Sequence, residues 1–204
     1  KTTKYNDGTA IPTGYSNDDW KDLTTGAYAV LDDDTDNIAI YGNLYNGWAV
    51  DTGNLAPDGW HIPTFTDWEI LYTYLGGGAI AGGKLKETGT TYWQSPNTGA
   101  TNETGFTGRP GGYRSGINGL YLSDTQTGYF ARSNAPRSGT TFTLHYNEEY
   151  IGGSTSSGDF GHSVRCVKST IGDDLTEVSV SSQAMSGVSV SSQAMSGVSV
   201  TIPP

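Results

Sequence analysis

Residues 161–168 read GHSVRCVK and hold Cys166, the only cysteine of the chain, with Arg165 beside it and His162 four positions earlier. A cysteine that acts as a nucleophile needs a lowered pKa, supplied by a neighbouring histidine or a helix N-terminus. The segment reads as a strand, with Val164 and Cys166 on one side and Arg165 and Val167 on the other. At ~3.3 Å per residue a straight strand puts His162 roughly 13 Å from the thiol. Cys166 is therefore expected to be a small buried hydrophobe. A single cysteine also excludes an internal disulfide and a cysteine-rich zinc site.

The remaining reactive side chains form no catalytic pattern. His61, His145 and His162 lack the HExxH spacing of a metal site, and His61 is expected to be a packed, hydrogen-bonded structural residue. Glu148 and Glu149 are adjacent on a candidate strand, so they point to opposite faces and cannot flank one glycosidic bond. GGGAIAGGK (76–84) is not a phosphate loop, because Leu85 stands where Ser or Thr should follow Lys84; it is expected to be an ordinary loop. The run Asp32, Asp33, Asp34, Asp36 lacks the Gly and Glu of a calcium loop and reads as a solvated turn. The expectation is a chain without catalytic residues, metal or cofactor.

Composition sets the frame that must carry any binding residues. The 204 residues suffice for one good-sized domain and an appendage. Leu, Ile, Val and Phe make up less than about a fifth of the chain, and the net charge is −10, a pairing usually read as disorder. Thirteen Tyr and five Trp argue otherwise, since each aromatic buries roughly 150–250 Å². The core is expected to be aromatic, and 29 Gly imply many tight turns. Eleven scattered Lys and Arg cannot follow a phosphate backbone, so nucleic acid is not an expected partner. No apolar run is long enough for a membrane span. Low Lys with abundant Ser, Thr, Gly, Asn and Tyr suits an extracellular or virion surface. The start at Lys1, with no initiator Met, reads as a processed chain or a fragment.

YSNDDWKDL (15–23) predicts a short helix capped by Ser16, with Asp19 at its third position and Trp20 and Leu23 on one face. Residues 26–50 predict strand, acidic turn and strand. GWHIPTFTDWEILYTYLGG (59–77) predicts the clearest helix, capped by Thr64 or Thr66, with Asp67 or Glu69 three residues on. Trp68, Leu71, Tyr72 and Leu75 form its apolar stripe, and Gly76 ends it. A long loop region follows, with Tyr92, Trp93 and Phe106 as its expected staples. Strands are expected at 119–124, 139–149 and 162–168. In the middle one Phe142, Leu144 and Tyr146 alternate with an outward face of Thr141, Thr143, His145 and Asn147.

From about Ile171 the character changes: VSVSSQAMSG stands at 178–187 and again at 188–197 in strict tandem. Alternating Val and Ser fit a β-prone segment that pairs with neighbouring subunits, while the Ser/Gly content fits a flexible tether; both readings stand. The division is a domain over 1–170 and a repeat tail over 171–204.

YGNLYNGWAV, GWHIPTFTDWEIL, AGGKLKETGTTYW, PNTGATNETGFTGRPGGYRSG and HSVRCVK, in this order between about Thr24 and Lys168, resemble the Fibrobacter succinogenes major paralogous domain, which Bacteroidetes and their phages also carry. The resemblance implies an α+β, C-type-lectin-like fold: two short helices, a small antiparallel sheet, long irregular loops, and paired N- and C-terminal strands. It also implies distant kinship with formylglycine-generating enzymes, whose paired catalytic cysteines have no counterpart here. Some relatives are diversified by retroelements in their C-terminal third. Where relatives carry GYWWSST, this chain has GYFARSN (128–134), so Phe130 and Ala131 replace a tryptophan pair. The EPN and QPD tripeptides of calcium-dependent sugar binding are absent.

The expected activity is therefore recognition. The implied fold places 120–150 on one exposed face, where Tyr121, Asp124, Phe130, Arg132, Asn134, Arg137, Thr143, His145, Asn147, Glu149 and Tyr150 supply paratope-like chemistry. Trp48, Trp60, Trp68, Trp93 and the last strand are expected to stiffen the frame. The expected partner is a host-surface protein or glycan met from a phage particle or bacterial surface. The alternative is a structural decoration or fibre subunit assembling through the tail. A degenerate oxidase related to the formylglycine enzymes is a third reading.

Overall fold

The computed structural model describes residues 1–122, 125–130 and 138–169, all within the first of two units, Lys1–Thr170. The N-terminal helix α1 (Asn17–Lys21) starts as the sequence predicts: the Ser16 side chain accepts the Asp19 amide, and Trp20 is fully buried. Strand β1 (Tyr28–Val30) leads through a 3-10 turn (Leu31–Asp33) and the short helix α2 (Asn37–Ile40) into β2 (Asn43–Asn46), and the two strands pair antiparallel with Tyr28 opposite Tyr45. The acidic run is thus a helical turn between hairpin strands, with Asp32 and Asp33 in the left-handed region at φ 57° and 55°. Asn46 caps α3 (Gly47–Asp51) by accepting the Ala49 amide, and the same oxygen accepts the Ala27 amide.

After β3 (Trp60–His61), α4 (Phe65–Tyr74) carries the expected capping box between Thr64 and Asp67. Trp68 and Leu75 are buried, with Leu71 and Tyr72 packed behind them, and Gly76 (φ 97°) stops the helix. The next segment corrects the sequence reading. Gly78–Leu85 is an eight-residue helix, α5, where a loop was expected. Its glycines lie against backbone: a Cβ at Gly82 would collide with the Tyr150 carbonyl, and one at Gly83 would sit 2.6 Å from the Gly99 carbonyl oxygen. Low helix propensity is accepted there because only glycine lets two chain segments come so close.

The C-terminal half contributes β4 (Tyr113–Arg114), β5 (Tyr121–Leu122), β6 (Thr127–Phe130), β7 (Ser138–His145), β8 (Gly152–Ser157), β9 (Gly161–His162) and β10 (Val167–Lys168). They form, with the earlier strands, a five-stranded sheet β1-β2-β9-β4-β5, a three-stranded sheet β6-β7-β8 and the pair β10-β3. The pairings among these strands are antiparallel, so the described residues make an α+β fold. Five α-helical segments are present among them, not two. The 162–168 segment is not one strand: β9 joins β2 and β4, and β10 joins β3. The last described strand therefore pairs with β3 rather than with the first strand.

The cluster around α4 is aromatic, whereas the cluster of Ile11, Val50, Leu55 and Ile62 is largely aliphatic, so the expected aromatic core holds for part of the interior. Trp68 stacks on Phe142 at 4.7 Å, Phe106 meets Phe130 edge-on at 5.3 Å, and buried Trp93 donates its Nε1–H to the Gly108 carbonyl at 2.9 Å. Two tryptophans depart from their expected roles. Trp60 is 45% exposed, and Trp48 is half-buried at a hydrogen bond to Asp159; the third fully interior tryptophan is Trp20. Replacing Gly82 by Ala is expected to lower unfolding free energy by about 1–3 kcal/mol through overpacking, seen as a lower Tm in a thermal melt.

Candidate functional site

Lys86 immediately follows α5 and is completely buried, yet its ammonium is hydrogen-bonded throughout. It donates to the carbonyls of Thr98 (2.8 Å), His145 (2.8 Å) and Glu148 (2.9 Å), and lies 5.5 Å from the centre of the Trp93 ring. These carbonyls belong to the loop after Trp93 and to the turn joining β7 to β8. Backbone bonds complete the fastening: Gly83 N–H to Glu149 O (2.8 Å), Ile151 N–H to Gly78 O (2.8 Å) and Thr98 N–H to Tyr146 O (2.8 Å). Burial lowers the Lys86 pKa to about 8, opposed by the charges of Glu149 and Glu148. Only the ammonium can donate to all three carbonyls, since the neutral amine has one N–H fewer.

The fastened turn carries several of the residues expected to bind. Asn147, Glu149 and Tyr150 are exposed, and His145 is half-buried. The His145 Nδ1 lies 3.3 Å from Thr127 Oγ1, and its ring is 6.3 Å from that of Tyr150. A hydrogen bond to Glu148 raises the Tyr150 pKa. Tyr121 is elsewhere: its hydroxyl donates to Asp33 Oδ1 (2.7 Å), and its ring lies 4.8 Å from the guanidinium of buried Arg114. Phe130 and Thr143 are each only 3% exposed, which takes their side chains off the surface. Phe130 completes the Trp68–Phe106–Phe142 cluster, and Thr143 lies on the central strand of three, whose second face is covered as well. Asp124, Arg132, Asn134 and Arg137 lie outside the described residues, as does the tail, 171–204.

Cys166 is half-buried against the cluster of Ile11, Tyr45 and Val50 and forms part of the wall of an apolar groove of about 560 Å³ with Trp68, Leu71 and Phe106. Burial raises its pKa, the opposite of what a nucleophile needs. His162 is enclosed by Tyr113, Tyr129 and Phe160, and burial lowers its pKa to about 3. Among the described residues no group of three His, Cys, Asp or Glu is placed to hold a metal ion.

Sequence reasoning missed one connected set. His61 Nε2 meets Asp67 Oδ2 at 3.1 Å, and its Nδ1 meets Ser169 Oγ at 3.1 Å. Burial pushes the Asp67 carboxyl up, but hydrogen bonds from Thr64 and then His61 outweigh it and hold the pKa below its ordinary value. The order Ser–His–Asp has the look of an acyl-transfer relay. However, the Ser169 amide, which would serve an oxyanion, is committed to the Gly59 carbonyl at 2.9 Å. The set instead ties the end of β10 to the start of α4. Its only sequence signal is the His at i and Asp at i+6 around a cap; Ser169 is distant in sequence.

Lys86→Met removes the donor and leaves three carbonyls without it, each orphan costing ~1–3 kcal/mol, so denaturant melts should show a loss of about 3 kcal/mol or more. The unfolded lysine keeps its proton to 10.5 and the folded one releases it from about 8, so between these values the unfolded chain binds more protons. This group's contribution to stability therefore rises with pH across that window and is lost as pH falls through about 8. Native Cys166 should react with iodoacetamide at pH 7.5 about tenfold or more slowly than free cysteine, measured by mass spectrometry.

A family model described as the Fibrobacter succinogenes major domain matches residues 1–168. No curated protein and no solved structure matches the chain. The match takes in the capped α4 with its His61–Asp67 contact, the glycine-faced α5 with Lys86, and the closing strand β10: the chain belongs to the Fibrobacter succinogenes major domain family.

Proposed function

We propose that this chain is a non-enzymatic recognition domain of C-type-lectin-like fold, displayed on a phage particle or bacterial surface, that binds a host-surface protein or glycan. One observation carries the reading. The turn bearing His145, Asn147, Glu149 and Tyr150 has its backbone fastened to α5 and to the Lys86 ammonium while Asn147, Glu149 and Tyr150 face solvent. A stiff backbone under exposed Tyr, Asn and Glu is how a binding face avoids ordering costs on association. Phe130 and Thr143 support that backbone from inside rather than touching ligand. Asp124, Arg132, Asn134 and Arg137 remain part of the proposed face, and Tyr121 would belong to a separate contact around Asp33.

The direction of the Cys166 and His162 pKa shifts favours recognition over redox or nucleophilic chemistry. The strict repeat at 178–197 supports the second reading, a decoration or fibre subunit that assembles through its tail. Adsorption of the fluorescently labelled full chain to a panel of Bacteroidetes cells separates the two. The combined Asn147→Ala and Tyr150→Ala variant is expected to lose tenfold or more of the adsorption, ~1.4 kcal/mol, at unchanged Tm. Full adsorption by that variant, with assembly abolished on deletion of 171–204, would favour the structural reading.

A further inference from the structure

Strand β8 (Gly152–Ser157) stands at one end of the sheet β6-β7-β8, and among the described residues no strand pairs with its outer side. The opposite end is closed, because β6 is bridged at Gly128 to Gly112 and at Phe130 to Ser163. The edge strands of the five-stranded sheet are shorter, with three residues in β1 and two in β5. β8 offers six, GGSTSS, with neither a charge nor a proline among them. Charges, prolines and shortness are what ordinarily keep an edge from recruiting another strand. Beside it lies an unfinished row of rings. Phe130 of β6, Trp68, Phe142 of β7 and Phe65 follow one another in contact at 6.2, 4.7 and 6.0 Å between centres. The last of them, Phe65, is 47% exposed. Gly153, opposite Phe142 on β8, is exposed and has no side chain to carry the row further.

The chain itself carries a sequence of matching chemistry. Val-Ser-Val stands at 178–180, 188–190 and 198–200, alternating apolar and small polar residues with the period of a strand. No residue from Val178 to Pro204 is charged, so this segment escapes the repulsion between copies of net charge −10. Extended at ~3.3 Å per residue, the chain beyond Ile171 has the length to reach another copy. We infer, on the reading of this chain as a subunit that assembles through its tail, that β8 accepts a Val-Ser-Val strand from the repeat of a second copy. Main-chain hydrogen bonds along β8 would supply affinity, and a valine beside Gly153 would continue the ring row against Phe65. A chain with three such triplets and one open edge of this length leaves triplets over for further copies, which favours assembly over closure of a pair.

The test is sedimentation velocity of the full chain from micromolar to near-millimolar concentration, with amide hydrogen exchange read by mass spectrometry at each concentration. Association is expected to grow with concentration, and exchange across 152–157 to slow as it does. The combined Val180→Lys, Val190→Lys and Val200→Lys variant, altered only outside the described fold, should associate at least tenfold more weakly at unchanged Tm. Gly153→Lys should do the same from the accepting side, with its Tm showing that the domain is folded. A chain that stays monomeric throughout would overturn the inference together with the tail-assembly reading. Association that needs the valines but leaves exchange at 152–157 unchanged, or that is indifferent to a folded Gly153→Lys variant, would overturn β8 as the docking edge and keep that reading. Association that survives the three valine substitutions would overturn the inference as well. None of these outcomes bears on the 145–150 face.

Discussion

An ammonium group inside a protein is tolerable only when its protons all have acceptors, and Lys86 meets that condition with carbonyls drawn from two distant parts of the chain. Thr98 lies in the irregular stretch after Trp93, and His145 and Glu148 flank the turn between β7 and β8. Thr98 and Glu148 lie in irregular backbone, and His145 is the last residue of β7. The ammonium gives both a fixed address, and Trp93 closes over it. The penalty of burial shows in the lowered pKa, opposed by the charges of Glu149 and Glu148.

Around this point the core solves a composition problem. Rings fill two of its clusters, with Trp68, Trp93, Phe106, Phe130 and Phe142 in one and Trp20 under Arg114 in another, while Ile11, Val50, Leu55 and Ile62 make a third, aliphatic one. Rings are wide, so the backbone elements between them must come close elsewhere. Glycine supplies that closeness at Gly82 and Gly83 of α5, and at Gly161, where a Cβ would stand 2.9 Å from the Trp20 ring. The high glycine content is thus packing surface as much as turn.

What was legible in the sequence was what depends on neighbours along the chain. The Ser16 cap, the Thr64–Asp67 box, the α4 stripe and the stop at Gly76 are local, and each stands where expected. The resemblance to the family was carried by ordered motifs and agrees with the match over 1–168. What was illegible depends on who lies opposite. GGGAIAGGK has the composition of a loop and becomes a helix because the 145–151 turn lies on its glycines. Thr143 alternates like an outward residue but sits on a central strand. The implied fold puts Phe130 on the exposed 120–150 face, whereas its ring belongs to the aromatic cluster. Lys86 gave no signal, since a lysine after a helix is ordinarily a solvated residue. Four of the expected face residues and the tail lie outside the described residues.

The recognition reading rests on one premise: the irregular backbone around the 145–150 turn is held stiff by a few buried polar groups, Lys86 first among them. The most direct check is the Lys86 side chain itself, followed by nitrogen-detected NMR in selectively 15N-lysine-labelled protein from pH 6 to 11. The account predicts a slowly exchanging ammonium at neutral pH and a titration midpoint near 8. Rapid exchange with a midpoint at the ordinary lysine value would mean that the ammonium is in water, and the turn would have lost its anchor.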